Sequence, residues 1–146
     1  MNKAKQLLES LDDITWENYV DITDNLTLFD KFRIDDEMAR QASVYSYYQG
    51  LLSLAKKNLD GANLELTQYI AQTRKDCKEA STAKLTAKDL DDFVMSQSDY
   101  ALYTKKVNEG NFKYTLLKGL VSALDHKKDM LVQISANVRA EKNIYN

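Results

Sequence analysis

The 146-residue sequence contains no proline and only four glycines. Because these two residue types interrupt helices most strongly, their scarcity favours long uninterrupted helices and an all-α fold. A single cysteine, Cys77, excludes an intrachain disulfide, and we expect a reducing, cytoplasmic location. No apolar run approaches the roughly 18 residues that cross a bilayer, so the sequence predicts no membrane span.

Histidine and cysteine, two residue types often used in catalysis, are equally scarce. His126 is the only histidine, and neither a glycine-rich phosphate loop nor a metal-binding spacing of ligands occurs. A small helical enzyme that binds a metal through Asp125, His126 and Asp129 is one hypothesis, but adjacent residues of a helix point in different directions. We therefore favour a solvated histidine and predict no enzymatic activity, no metal and no cofactor.

The longest periodic stretch predicts a central helix over residues 35–80. Its apolar positions alternate at spacings of three and four, the pattern of a coiled-coil-like seam against a partner helix. The seam consists of Met38, Tyr45, Leu52, Leu59, Leu66 and Thr73, and of Gln41, Tyr48, Ala55, Ala62 and Tyr69. Gly50 and Gly61 lie within this helix, and their small size predicts a close approach of a neighbouring backbone.

The segment before this helix, residues 1–34, is acidic. Residues 1–40 carry ten acidic and five basic side chains, a net charge of −5, whereas the remainder carries +3. Such a segment could dock a basic partner or shield the chain's own basic surface, although solvated faces with a chance bias are the plainer interpretation. A short amphipathic helix is predicted over Asn2–Leu11. From Ile14 to Phe32 we favour a loop with helical turns over short strands.

A connection is predicted over residues 79–85, followed by a second helix. Thr86 and Asp89 have the spacing of an acidic capping box, so this helix should begin near Ala87 and continue to Asn108. The stretch Glu109-Gly110-Asn111 predicts a turn or kink.

The last predicted helix, residues 112–142, carries two apolar stripes side by side. A face this wide exceeds what one partner helix covers, which favours self-association through this helix; the alternative is that the two preceding helices cover both stripes within one chain. The residues predicted at an oligomer interface are Leu117, Leu120, Val121, Leu124, Leu131 and Ile134. The predicted fold is thus a single all-α domain over residues 1–146, an elongated bundle of long antiparallel helices with an assembly region at 86–142.

Basic residues of the central helix form a candidate nucleic-acid surface. Lysine and arginine neutralise phosphates, and an exposed aromatic ring can stack on unpaired bases. The candidates are Lys56, Lys57, Arg74, Lys75 and Lys78, with Tyr47 for stacking. Acidic residues lie between these cations, so a solvated, salt-bridged face is the competing interpretation. In a ring of subunits, modest patches would add up to a basic belt.

The second half of the chain contains a distinctive set of short motifs. They are Val94-Met95-Ser96-Gln97-Ser98-Asp99, Tyr114-Thr115-Leu116-Leu117, Ser122-Ala123-Leu124-Asp125, and Arg139 with Glu141. Over residues 85–141 these motifs and their spacing resemble the carboxy-terminal half of UvsY-type recombination mediators of tailed phages.

This resemblance implies a non-catalytic, all-helical protein that assembles into a ring, of six or seven subunits if it is like the family. It also implies binding to single-stranded DNA and loading of a RecA-like recombinase onto strands covered by single-strand-binding protein, in the host cytoplasm. The family's Lys/Arg-rich motif is not reproduced after Lys56 and Lys57, where Asn63-Leu64-Glu65-Leu66 follows, so our DNA-binding candidates are chosen by charge. The rival hypothesis is a structural coiled-coil or scaffolding protein that makes only protein contacts.

Overall fold

The computed structural model describes residues 11–145, which are helical almost throughout. After a 3₁₀ turn at Leu11–Asp13, the helices are α1 (Trp16–Thr27), α2 (Ile34–Ala80), α3 (Ala87–Ser96) and α4 (Ser98–Ile144). No strand occurs in this range, so the predicted all-α class is confirmed. The short helix predicted over Asn2–Leu11 lies outside the described residues except for Leu11.

Helix α1 occupies the segment for which a loop was favoured, and that prediction was wrong. A reciprocal capping box starts the helix: Asn18 N donates to Thr15 Oγ1 at 3.3 Å, and Thr15 N donates to Asn18 Oδ1 at 2.9 Å. Within the helix, the Thr23 and Thr27 hydroxyls donate to the backbone carbonyls of Tyr19 and Thr23, one turn earlier. The Thr15-x-x-Asn18 spacing is the signal that could have identified this helix.

Helix α2 begins one residue before its predicted start and covers the predicted seam except at Met38, which is exposed. Gln41, Tyr48, Ala55 and Ala62 are buried, and the companion register from Tyr45 to Thr73 is half-buried. The heptad pattern therefore identified which face of α2 is covered.

The predicted close approach at Gly50 and Gly61 is wrong. Both glycines are exposed, and a Cβ atom added to either would meet no atom within 4 Å. The close approach occurs instead at Gly110 of α4, where an added Cβ would lie 3.5 Å from Cα of Leu59. Gly110 thus serves as a packing surface inside a continuous helix, and the turn that was one of the two alternatives predicted at 109–111 is absent.

Helix α3 starts at Ala87, as predicted from its capping box. Thr86 N donates to Asp89 Oδ2 at 2.9 Å, and this hydrogen bond is the main reason that the pKa of the Asp89 carboxyl is lowered. The predicted continuation to Asn108 is wrong because α3 ends at Ser96. The Ser96 hydroxyl and the Gln97 amide both donate to the carbonyl of Phe93, at 2.6 and 3.1 Å, and so compete with the helical ladder where the chain breaks.

The chain divides into two compact units, each with its own core. Unit 1 comprises the described residues through Leu54 and those from Thr115 onward, whereas unit 2 comprises residues 55–114. The most deeply buried apolar side chains of unit 1 are Leu26, Tyr48, Leu117, Leu120, Leu124 and Leu131. In unit 2 the buried apolar residues are Ala55, Ala62, Leu90 and Val94. Within the described range, no helix is long and apolar enough to cross a bilayer.

Candidate nucleic-acid interface

The five candidate DNA-binding cations are all exposed and all belong to unit 2. Lys57 and Lys78 are three heptads apart, so they lie on the same side of α2, and Lys75 precedes Lys78 by nearly one turn. That side is turned away from the buried seam at Ala55 and Ala62. The three lysines therefore form an outward stripe, here called the α2 lysine stripe.

The other candidate cations are engaged in ion pairs. Lys56 Nζ lies 3.2 Å from both carboxylate oxygens of Asp60, and Arg74 contacts Asp91 of α3. Because these pairs are solvent-exposed, each stabilises the fold only weakly, and a phosphate could replace the carboxylate at little cost.

Within the stripe, pairing is weaker still. Lys75 reaches Glu79 only at 3.9 Å. Among the described residues, no carboxylate lies within 4 Å of Lys57 or Lys78. These two ammonium groups can therefore bind an anion without first giving up a partner.

The predicted stacking residue, Tyr47, belongs to unit 1 rather than to unit 2. Its ring is 36% exposed and packs edge-on against buried Tyr48, with ring centroids 5.3 Å apart. Tyr47 is thus partly exposed, but Tyr47 and the five cations are not gathered within one unit. Tyr69 stacks on Tyr103 at 4.8 Å, in agreement with its predicted place on the seam.

The predicted oligomer-interface residues are covered by their own chain. Leu117, Leu120, Leu124 and Leu131 are at most 1% exposed, Val121 is buried and Ile134 is half-buried. Their partners come from α1 and α2, because Ile14, Tyr19 and Ile22 face Leu116, Leu117 and Leu120, and Gln41 Nε2 donates to the Leu124 carbonyl at 2.7 Å. The width of the apolar face therefore gives no argument for self-association. The interface assignment stays a prediction without that support.

Lys127 is a buried, structurally important residue that the sequence reasoning missed. Its side chain is 5% exposed, and its ammonium donates to the carbonyl of Leu26 and to Glu37 Oε2, both at 2.9 Å. One cation thereby joins the end of α1, the first turn of α2 and the middle of α4. The signal was its spacing, since Lys127 follows Leu120 by seven residues and precedes Leu131 by four, which places it on the buried stripe.

The proposed metal-binding trio has a different arrangement. Lys128 Nζ lies 2.8 Å from Asp125 and 3.5 Å from Asp129, so an ammonium occupies the position between the two carboxylates. The hydrogen bond from Lys128 lowers the pKa of Asp125, and Asp125 in turn raises the pKa of Lys128. No group of three or more His, Cys, Asp or Glu residues in the described part of the chain is arranged to hold a metal ion. The metalloenzyme hypothesis therefore has no geometric support.

The structure defines an all-α protein in which α2 and α4 are each 47 residues long. Comparison with protein-family models, with curated proteins and with solved structures finds no match. The likeness to UvsY-type mediators therefore rests on the sequence pattern alone.

Proposed function

We propose that this protein is a non-enzymatic recombination mediator that binds single-stranded DNA. It would help to load a RecA-like recombinase onto strands covered by single-strand-binding protein. The observation that supports DNA binding is the α2 lysine stripe, in which two of three ammonium groups have no acidic partner among residues 11–145. The place in recombination is supported by the resemblance over residues 85–141.

The stripe suits a flexible polyanion better than a compact ligand. From Lys57 to Lys78 it spans about 32 Å, at roughly 1.5 Å of helix rise per residue. Each lysine that meets a phosphate releases a counterion, so binding should be sequence-independent and salt-sensitive. In a homo-oligomeric ring, the stripes of several subunits would act on one strand, and their weak contacts would multiply.

The test is fluorescence anisotropy with a labelled oligothymidylate at low and moderate salt. We expect the wild-type chain to bind and to weaken as salt rises. The double variant Lys57→Glu/Lys78→Glu should weaken binding and lower the salt slope by about two, since each phosphate contact contributes about one. The control is Lys88→Glu/Lys118→Glu, which makes the same charge change at exposed lysines outside the stripe.

Absence of wild-type binding at low salt would refute the proposal and leave the scaffolding alternative. Equal losses of DNA affinity in the two double variants would show that the DNA responds to the total charge of the protein rather than to the α2 lysine stripe. A mediator must also restore DNA-dependent ATP hydrolysis by a RecA-like recombinase on a strand covered by single-strand-binding protein. A scaffold that only contacts proteins would not do so.

A further inference from the structure

Unit 1 contains a basic cleft of about 650 Å³ that lies away from the α2 lysine stripe in sequence. The loop after α1 and the first turn of α2 form one wall, and the last turns of α4 form the other. Four cations line it: Lys31 and Arg33 on the first wall, Arg139 and Lys142 on the second. Residues more than 100 positions apart in sequence are thus gathered around one concave surface.

The cleft has a positive balance of charge. Asp35 and Asp36 are its two acidic residues, and Asp36 is occupied by Arg33, whose Nε and a terminal nitrogen lie 3.1 and 3.0 Å from it. No described carboxylate lies within 4 Å of Lys31, Arg139 or Lys142. Arg139 uses only its Nε, to bond the Ser135 carbonyl at 3.3 Å, so its other guanidinium nitrogens can bind an anion.

An exposed aromatic ring lies at the edge of this cleft. Phe32 is 85% exposed, and the Lys31 ammonium lies 5.1 Å from its ring centroid. Asp30 fixes the local backbone, since its carboxylate accepts from Phe32 N at 2.9 Å and its carbonyl accepts from Arg33 N at 3.0 Å. The loop therefore presents a phenyl ring to solvent between two basic residues.

We infer that this cleft is a second binding site for single-stranded nucleic acid. A base would stack on Phe32, and the flanking phosphates would meet Lys31, Arg139 and Lys142. The inference rests on the proposed function and adds a contact in unit 1 to those of the α2 lysine stripe. An acidic peptide would also neutralise the cations, but an exposed ring among cations is how single-strand binders combine base stacking with phosphate neutralisation.

The experiment separates stacking from charge by comparing two labelled strands of equal length, an oligothymidylate and an abasic sugar-phosphate strand. Phe32→Ala in the full chain should weaken binding to oligothymidylate by about tenfold and leave the abasic strand unaffected. Leu28→Ala is its control, because Leu28 is also exposed in the same loop. Arg139→Glu/Lys142→Glu should weaken binding to both strands and lower the salt slope by about two, compared with Lys88→Glu/Lys118→Glu.

The outcomes distinguish this inference from the proposed function. If the wild-type chain binds DNA but the cleft variants behave as their controls do, the cleft inference is wrong and the α2 stripe stands. If the wild-type chain binds neither strand, the proposed function has failed first. Retained DNA binding with loss of binding to a labelled polyglutamate peptide in Arg139→Glu/Lys142→Glu would assign the cleft to an acidic protein segment instead. Circular dichroism of every variant checks that its helices are intact.

Discussion

At the scale of single residues, Lys127 is the most demanding position in unit 1. A buried ammonium is tolerated only where hydrogen bonds and an opposite charge replace its hydration. The Leu26 carbonyl and the Glu37 carboxylate supply these partners, and each lies on a different helix or helix end. The same contact satisfies one of the carbonyls that α1 leaves open at its carboxy terminus.

Replacement of Lys127 by methionine should therefore lower the free energy of unfolding by about 3 kcal/mol, because the Leu26 carbonyl and the Glu37 carboxylate lose their hydrogen bonds from a buried ammonium. The control is Lys128→Met, which removes an exposed cation one residue later and should change stability by no more than about 0.5 kcal/mol. Urea unfolding followed by circular dichroism measures both variants. Equal midpoints for the two would contradict the buried position of Lys127.

At the scale of helices, α2 has one covered seam and an opposite face that is open at its two glycines. At both glycines, no other helix of the described chain contacts this face. Gly50 and Gly61 contribute no packing there. Their effect on α2 is then the intrinsic one, a loss of helix propensity and a greater conformational freedom of the unfolded chain. Gly119 differs, because a Cβ added to it would lie 2.7 Å from the Tyr19 hydroxyl oxygen of α1.

Gly50→Ala and Gly61→Ala should each stabilise the protein by up to about 1 kcal/mol. Gly119→Ala should gain less or lose stability, since the rigid Tyr19 ring must shift. Thermal unfolding of the three variants, monitored by circular dichroism, measures their stabilities. It compares the same glycine-to-alanine substitution at two positions with open space and at one position beside the Tyr19 hydroxyl. A loss of stability or a change of molecular mass in Gly50→Ala or Gly61→Ala would indicate that a second copy packs closely there.

At the scale of the whole molecule, the question is which surfaces remain for a second copy. The apolar face of α4 within unit 1 is filled by α1 and α2, so Leu124 belongs to the core of its own chain. Val132, two turns later on the same helix, is half exposed. Substitutions at these two residues can therefore distinguish an effect on the stability of the fold from an effect on self-association.

Leu124→Ala should lower the free energy of unfolding by about 3 kcal/mol at every protein concentration, because it leaves a cavity in unit 1. Val132→Ala should change it by no more than about 0.5 kcal/mol. Urea unfolding at two protein concentrations, combined with light scattering, measures stability and mass together. Wild-type stability with a reduced mass in Leu124→Ala would restore this residue to an interface between copies.

Much of the secondary structure could be read from local sequence. Thr86 and Asp89 located the start of α3, and the heptads located the buried face of α2, because capping and periodicity depend on neighbours a few residues apart. The break at Gln97 was missed because it depends on side chains that compete for the Phe93 carbonyl. The turn that was one alternative at 109–111 was wrong, because α4 continues through Gly110, where it packs against Leu59.

Of the candidate site, the sequence located the exposed cations but not their partners. The sequence did not predict that Lys31 and Phe32 lie near Arg139 and Lys142, because no local sequence pattern relates residues so far apart along the chain. It also placed the association element on α4 from the width of an apolar face. Hydrophobic spacing establishes that a helix face is covered, whereas only the tertiary contacts decide whether another helix of the same chain or a second copy covers it.

The scarcity of proline and glycine predicted the all-α class, and helical periodicity predicted the bounds of α2 to within one residue and the outward position of the α2 lysine stripe. The cover of α4 by α1 and α2 in unit 1, the burial of Lys127 and the basic cleft around Phe32 became visible only in the folded chain. These contacts join residues tens of positions apart along the chain, and their energies depend on which surfaces meet.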